Sequence, residues 1–368
     1  MKNKINFNNT SIDWNKVHSV IDNSEKLLLT THENPDGDGL GAECGLYYHL
    51  AEQNKEVRII NYSPLPPAYH YLNEDGIFEY YDSKSHDKWI KDIDLVIVFD
   101  VGDFLRIRTL VDVIKKYQIK TMNIDHHPHP EENSFNYNIV DLSAAATGSM
   151  VYDYLKVARK SAISKNSLLG IYTAVMTDTG CFRYSNTDNK CHEIAIECLN
   201  NGIETHKVYQ HIYENSTRSR IELMGNFLSN LNYELDGKLA WFVISKDMLK
   251  NANGTKSDVD GFTDMVRSIS GVEVALMIFE QNEISCRINF RSKGNLIIND
   301  IANKMGGGGH AYAAGAVVDG TLSQVTSKVV DLTTTLIKRK MKGNEFEDIL
   351  SQRCWILFWG KRCCQSSL

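Results

Sequence analysis

Residues 26–40 read KLLLTTHENPDGDGL. An apolar run of strand length gives way at once to His32-Glu33-Asn34-Pro35-Asp36-Gly37-Asp38-Gly39, where proline and glycine predict an irregular loop. The same arrangement recurs along the first half of the chain. Residues 57–61, 95–100 and 121–125 are further short apolar runs, with helical periodicity at 41–53 and 107–117 between them and at 148–160 and 167–177 beyond. Strands alternating with helices predict an α/β domain built on a parallel sheet.

From 186 to 230 the pattern turns helical and polar, which predicts a helical connector. Residues 239–244, 272–279 and 284–291 then read as strands, and a helix at 296–305 runs into a glycine run, together a smaller α+β domain. The predicted organisation is a first domain at 1–185, a connector at 186–232, a second domain at 233–341 and a tail at 342–368. That tail carries Cys354, Trp355, Trp359, Cys363 and Cys364, and nothing upstream assigns it a role.

The 368 residues suffice for two domains, and 42% hydrophobic with 23% charged residues is the composition of a chain that folds. The N-terminal residues lack the apolar core of an export signal, and no apolar run reaches membrane-spanning length. Cys44, Cys181, Cys191, Cys198 and Cys286 are scattered without metal-knuckle spacing, as reduced cytosolic thiols are. The expectation is a cytoplasmic protein with no membrane partner. A net charge of -6 excludes a grip on long duplex nucleic acid, which draws on many Lys and Arg contacts to phosphate. A small substrate held by a few placed cations fits.

Three polar clusters close predicted strands: His32, Asp36 and Asp38 after the first, Asp100 at the end of the strand at 95–100, and Asp125-His126-His127 at the end of the strand at 121–125. Carboxyl ends of parallel strands form one edge, where open α/β sheets bind ligands. Asp178, at the end of the apolar helix 168–177, adds a fourth carboxylate. Taken singly, Asp38 reads equally well as a turn or helix-cap residue. The coincidence of several such groups on one edge is what points to chemistry. Oxygen-rich donors with some imidazole and no thiolate suit hard to borderline divalent ions, Mn²⁺ before Mg²⁺. Four carboxylates and two histidines exceed the needs of one ion and suit two with a bridging Asp, a pairing that activates water and neutralises charge in phosphoryl hydrolysis.

The strings His32-x-x-Pro35-Asp36-x-Asp38, Asp100, Asp125-His126-His127 and Asp178-x-Gly180 resemble the ordered motifs of the DHH phosphoesterase superfamily. Arg291-Ser292 and Gly306-Gly307-Gly308-Gly309-His310 resemble the DHHA1 substrate domain, and order and spacing are similar to the bacterial nano-RNase and pAp phosphatase branch. The resemblance implies that His32, Asp36 and Asp100 hold one metal, that Asp38, Asp100, His126 and Asp178 hold the other, and that Asp100 bridges. His127 would face the scissile phosphate, and Asp125 would orient a neighbouring imidazole. Ala42 stands where the family often has Ser, a departure that touches no ligand. In the second domain the glycine run lets backbone N–H groups approach an anion, with His310 as an added donor and Arg291 and Ser292 on a terminal phosphate. Arg267 is a further candidate, although 266–269 reads equally as an ordinary half-exposed helix.

The resulting expectation is hydrolysis of 2- to 5-mer RNA and of 3'-phosphoadenosine 5'-phosphate, by a monomer or homodimer whose first domain does the chemistry while the second clamps the nucleotide. A phosphodiesterase for cyclic or linear signalling dinucleotides (c-di-AMP or pApA) needs the same metals. An inorganic pyrophosphatase would share only the first-domain motifs, and a non-catalytic nucleotide sensor need not retain the ligands.

Overall fold

Leu27, Leu28 and Leu29 are all fully buried, so both faces of their strand are covered. This is the signature of a parallel sheet sandwiched between helices. In a computed structural model of the chain, residues 5–8, 12–130, 134–159 and 161–341 are described; the tail at 342–368 lies outside them. The chain divides between Asn215 and Ser216 into two compact units.

The first unit holds seven strands: β1 (Ile5–Asn8), β2 (Lys26–Thr31), β3 (Glu56–Asn61), β4 (Phe78–Tyr80), β5 (Leu95–Phe99), β6 (Lys120–Asp125) and β7 (Tyr137–Val140). They lie in the order β1-β7-β6-β5-β2-β3-β4, and every pairing is parallel. From β2 the chain winds outward through β3 and β4, then returns to β5 on the other side and winds outward again. The order therefore reverses between β2 and β5, a topological switch point at which the loops part and leave a crevice. One apolar layer packs Leu27, Leu29, Ile97 and Ile124 under the helices Gly37–Glu52, Thr147–Ala158 and Lys165–Asp178. The other packs Leu28, Val96 and Val98 under Ser83–Ile90 and Thr109–Tyr117.

Helix Gly37–Glu52 begins four residues before the predicted start at 41, so the expected irregular loop is shorter than read. Asp36 is its N-cap, accepting from the N–H groups of Asp38 (3.1 Å) and Gly39 (3.4 Å). The cap outweighs the low helical propensity of Gly37 and Gly39. Asp36 thus caps, and Asp38 opens, a helix at the switch point.

Helices Asn189–Asn200 and Thr205–Tyr213 place Cys191, Ile194, Cys198 and Val208 in the first unit's core. Helix Arg218–Ser229 places Leu223 and Phe227 in a core of the second.

The second unit is a six-stranded mixed sheet: β8 (Asn232–Glu234), β9 (Leu239–Ile244), β10 (Val274–Asn282), β11 (Ser285–Ser292), β12 (Gly308–His310) and β13 (Ala313–Asp319), in the order β12-β13-β11-β10-β9-β8. Only β9 and β10 pair in parallel. Helices Asn299–Asn303 and 322–341 cover one face through Ile301, Val325, Val329 and Ile337. The other face is covered over β9 and β10 by Phe227 and Phe262.

Candidate metal centre and phosphate cavity

Asp100 follows β5 at the switch point, and its backbone takes the left-handed conformation, φ 57°. Strain of this kind persists where the surroundings fix a side chain in place. Its carboxylate is 3% exposed and meets three imidazoles: His32 Nε2 lies 3.6 Å from one oxygen, and His126 Nε2 (3.5 Å) and His127 Nδ1 (3.2 Å) lie near the other. Asp36 stands 3.7 Å from His32 Nε2, while Asp38 (3.5 Å) and Asp178 (3.8 Å) flank His126 Nε2. Among the described residues three overlapping groups capable of holding an ion result, His32-Asp36-Asp100, Asp100-His126-His127 and Asp38-His126-Asp178, with Asp100 a member of two and beside the third.

The imidazole tautomers are set by the backbone. His32 Nδ1 faces Glu33 O at 2.7 Å and His126 Nδ1 faces Ala144 O at 3.1 Å. A carbonyl can only accept, so each Nδ1 carries the proton and each Nε2 keeps its lone pair for a ligand. His126 Nε2 is buried with no hydrogen-bond partner, a cost a native site bears when the atom binds something else. Asp38 accepts from the N–H groups of Thr147 (2.7 Å) and Gly148 (2.8 Å), at the positive end of helix Thr147–Ala158.

Without a cation the arrangement is electrostatically uneasy. Burial, with the charges of Asp100 and Asp178, pushes the Asp38 carboxyl well above the usual carboxylate range. Burial also raises Asp178 to about 6, with His126 opposing and Asp100 adding to the rise. Burial pulls His32 down, yet Asp100 and Asp36 outweigh it and lift the imidazole to about 10. Protons here stand in for missing positive charge, and the donor set fits divalent cations.

His127 differs from the other two. Its ring is 38% exposed, against 12% for His126 and 6% for His32, so it can reach a bound molecule. Hydrogen bonds to Asp100 and Asp125 raise it to about 11. Its Nδ1 is 2.9 Å from Asp125 Oδ1, which leaves Nε2 facing outward. Asp125 is wholly buried and has no oxygen to spare: His127 N–H (3.0 Å) also meets Oδ1, and Gly102 N–H (2.6 Å) and His129 Nε2 (2.7 Å) meet Oδ2.

His129 went unremarked in the sequence, although the string Asp125-His126-His127-Pro128-His129 displays it. The backbone donors of Thr147 and Gly148 and the amide of Asn186, 3.3 Å from Asp178, carried no signal in residue type. Glu43 was also missed. It is fully buried on helix Gly37–Glu52, accepts from Asn61 Nδ2 at 2.9 Å, and burial raises it to about 8, the Asn61 hydrogen bond opposing. The folded state therefore retains a proton that the unfolded chain releases near the ordinary glutamate value, so stability falls as pH rises from about 4.5 to 8. Glu43→Gln, which keeps the acceptor and removes the charge, is expected to flatten that fall. Urea unfolding at pH 5 and pH 8 checks it: the variant gains on the order of a few kcal/mol relative to the parent between the two pH values.

The second unit has a cavity of about 630 Å³ lined by Arg291, the glycine run Gly306 to Gly309 and the facing strand β13. The glycines are sterically required: a Cβ on Gly307 would sit 2.1 Å from Gly315 O, and one on Gly309, whose φ is 137°, 2.6 Å from Ala313 O. Arg291 is held by Asp264 (3.2 Å). Ser292 is not brought to this cavity. Adjacent strand residues point to opposite faces, and its hydroxyl is buried, donating to Glu273 at 3.2 Å. Arg267 is engaged structurally, by Ser292 O (3.2 Å) and Asp264 (3.3 Å). His310 ends β12, pairing with Ala313, and its side chain lies outside the described residues.

Comparison with known proteins bears on this geometry. The model of the DHH family, N-terminal domain, matches residues 26–177, and that of the DHHA1 domain matches 237–339. The chain carries a DHH-family N-terminal domain followed by a DHHA1 domain. Among curated relatives, the bifunctional oligoribonuclease and PAP phosphatase NrnA of Bacillus subtilis is 29% identical, with 80% of this chain and 90% of that one covered. Its Thermus thermophilus namesake is 28% identical over 86% and 93%. Among solved structures, an exopolyphosphatase-related protein from Bacteroides fragilis superposes with TM-score 0.81 at 28% identity, covering 88% of this chain and 97% of that one. The expected α/β domain followed by a DHHA1 domain is what the chain has, and DHH family members use divalent metals. Among the described residues no helix is long and apolar enough to cross a membrane.

Proposed function

We propose that this chain hydrolyses oligoribonucleotides of two to five residues to mononucleotides, and 3'-phosphoadenosine 5'-phosphate to AMP, with two Mn²⁺ ions as cofactors. The observation that carries the reading is the convergence on Asp100 of two cation-ready groups beside one exposed imidazole, His127. The NrnA relatives at 28 and 29% identity bear the names oligoribonuclease and PAP phosphatase.

His32, Asp36 and Asp100 would hold one ion, and Asp38, Asp100, His126 and Asp178 the other. When bound, such a pair activates water and neutralises charge developing on phosphoryl oxygens. His127, with Nδ1 committed to Asp125, presents Nε2 to the phosphate or leaving oxygen as donor. Asp125, gripped by four donors, fixes that ring's orientation and stabilises its charged form. Asp125→Asn turns one acceptor oxygen into an amide donor that faces two of these donors and so disturbs this orientation; kcat is expected to fall about 10- to 100-fold with KM nearly unchanged. An equal kcat would remove the role.

In the second unit, Arg291 and the glycine-lined cavity would hold a substrate phosphate, by charge-assisted bonds and close backbone approach. The test is product analysis with Mn²⁺ on RNA 2-mers, 5-mers and 24-mers, 3'-phosphoadenosine 5'-phosphate, cyclic di-AMP and pyrophosphate. Rapid cleavage of the 2-mer and the bisphosphate with little action on the 24-mer is the expected result. Preference for the cyclic dinucleotide would move the protein to signalling, and no turnover of any of them would favour a sensor.

A further inference from the structure

Strand β11 turns Ile288 and Phe290 into the second unit's core and presents Arg287, Asn289 and Arg291 on its opposite face. All three line the 630 Å³ cavity. Their cross-strand partners on β13 are Val317, Gly315 and Ala313, two of which are too small to crowd a bound chain. Arg287 is exposed, and its Nε donates to Asn289 Oδ1 at 3.0 Å, which ties these two residues together, while Arg291 is held by Asp264. Alternate residues of a strand advance about 6.7 Å, close to one nucleotide step of an extended single strand. Arg287 therefore stands two such steps from Arg291, along a groove with a cation at each end. Past Arg287 the next residue on that face is Ser285, which carries no charge, and beyond it Ile284 is 73% exposed; past Arg291 it is Lys293, whose Nζ is committed to Ile269 O at 2.6 Å.

We propose that this row measures substrate length: Arg291 takes one phosphate, Asn289 meets the nucleotide between, and Arg287 takes a phosphate two steps away. The proposal rests on the short-nucleotide reading above and adds the residues that set the upper size. A dinucleotide reaches only the Arg291 end. A 5-mer engages both arginines, and a longer strand extending past Arg287 gains no further cation on this row, as a positively charged track requires for continued binding.

The test is equilibrium binding of fluorophore-labelled 2-mer and 5-mer oligoadenylates in Ca²⁺ over a range of salt, with the parent, Arg287→Ala and Arg287→Lys. The parent is expected to bind the 5-mer more tightly than the 2-mer. Arg287→Ala should reduce that advantage about tenfold and lower the 5-mer's log Kd against log salt slope by about 0.7, the amount lost with one phosphate contact on a single strand. Arg287→Lys should restore most of both. A parent with no 5-mer advantage, or an Arg287→Ala variant that keeps the advantage and the slope, overturns the proposal. If the binding pattern is found but no divalent ion supports cleavage of either oligomer, the length row stands and the hydrolase reading falls.

Discussion

Asp100→Ala is expected to lower turnover about a thousandfold or more under saturating Mn²⁺. Its carboxylate lies near His32, His126 and His127, belongs to two of the three groups that could hold an ion and stands beside the third, so its loss weakens all of them together. Charge stabilisation by a metal pair is worth several kcal/mol, and each 1.36 kcal/mol is a factor of ten in rate. The variant should fold, because removing a carboxylate relieves repulsion that adds to burial in raising Asp38 and Asp178. Steady-state turnover of a 2-mer beside the melting temperature without metal checks both halves. Activity within tenfold of the parent would show that Asp100 bridges nothing.

The second large effect lies away from the chemistry. Helices Gly37–Glu52 and Lys165–Asp178, which carry Asp38 and Asp178, meet backbone to backbone. A Cβ on Gly41 would lie 2.3 Å from Gly170 O and 2.8 Å from Ala174 N, and one on Gly170 would lie 2.6 Å from Gly41 O. Backbone atoms cannot swing aside, so Gly41→Val must part the helices. A loss of about 3 kcal/mol or more is expected, with activity falling as Asp38 and Asp178 separate. Gly45→Ala is the milder comparison, since its nearest neighbour is the Ile171 side chain at 3.0 Å. Urea denaturation of the two variants measures it, and a Gly41→Val protein as stable as the parent would contradict the close docking.

The central strands were legible because Leu27 to Leu29 and Leu95 to Phe99 are buried on both faces and leave unbroken apolar runs. The metal-edge cluster was legible because those runs end in charge. Strands β1, β4, β7, β8 and β12, of three or four residues each, are too short to impose a period and went unread, as did the seven-residue β13, whose mostly small residues give alternation little contrast. Other features belong to no residue type. The grip on Asp38 comes from backbone N–H groups of Thr147 and Gly148, which any sequence could supply once helix Thr147–Ala158 points its N-terminus there. Ser292 is a different case. Its neighbour Arg291 reaches the cavity, and strand alternation alone sends Ser292 to the buried face. Reading the two as one phosphate pair ignored a periodicity already visible in the sequence. Glu43 was lost in a helix read only for its apolar positions.

The most direct measurement is turnover of an RNA 2-mer by metal-free protein as Mn²⁺ is added in fractions of an equivalent. A rise that reaches its plateau only at two equivalents per chain, abolished by chelator and absent in Asp100→Ala, is the expected result. A plateau at one equivalent, or turnover that persists in chelator, would contradict a two-metal phosphoesterase.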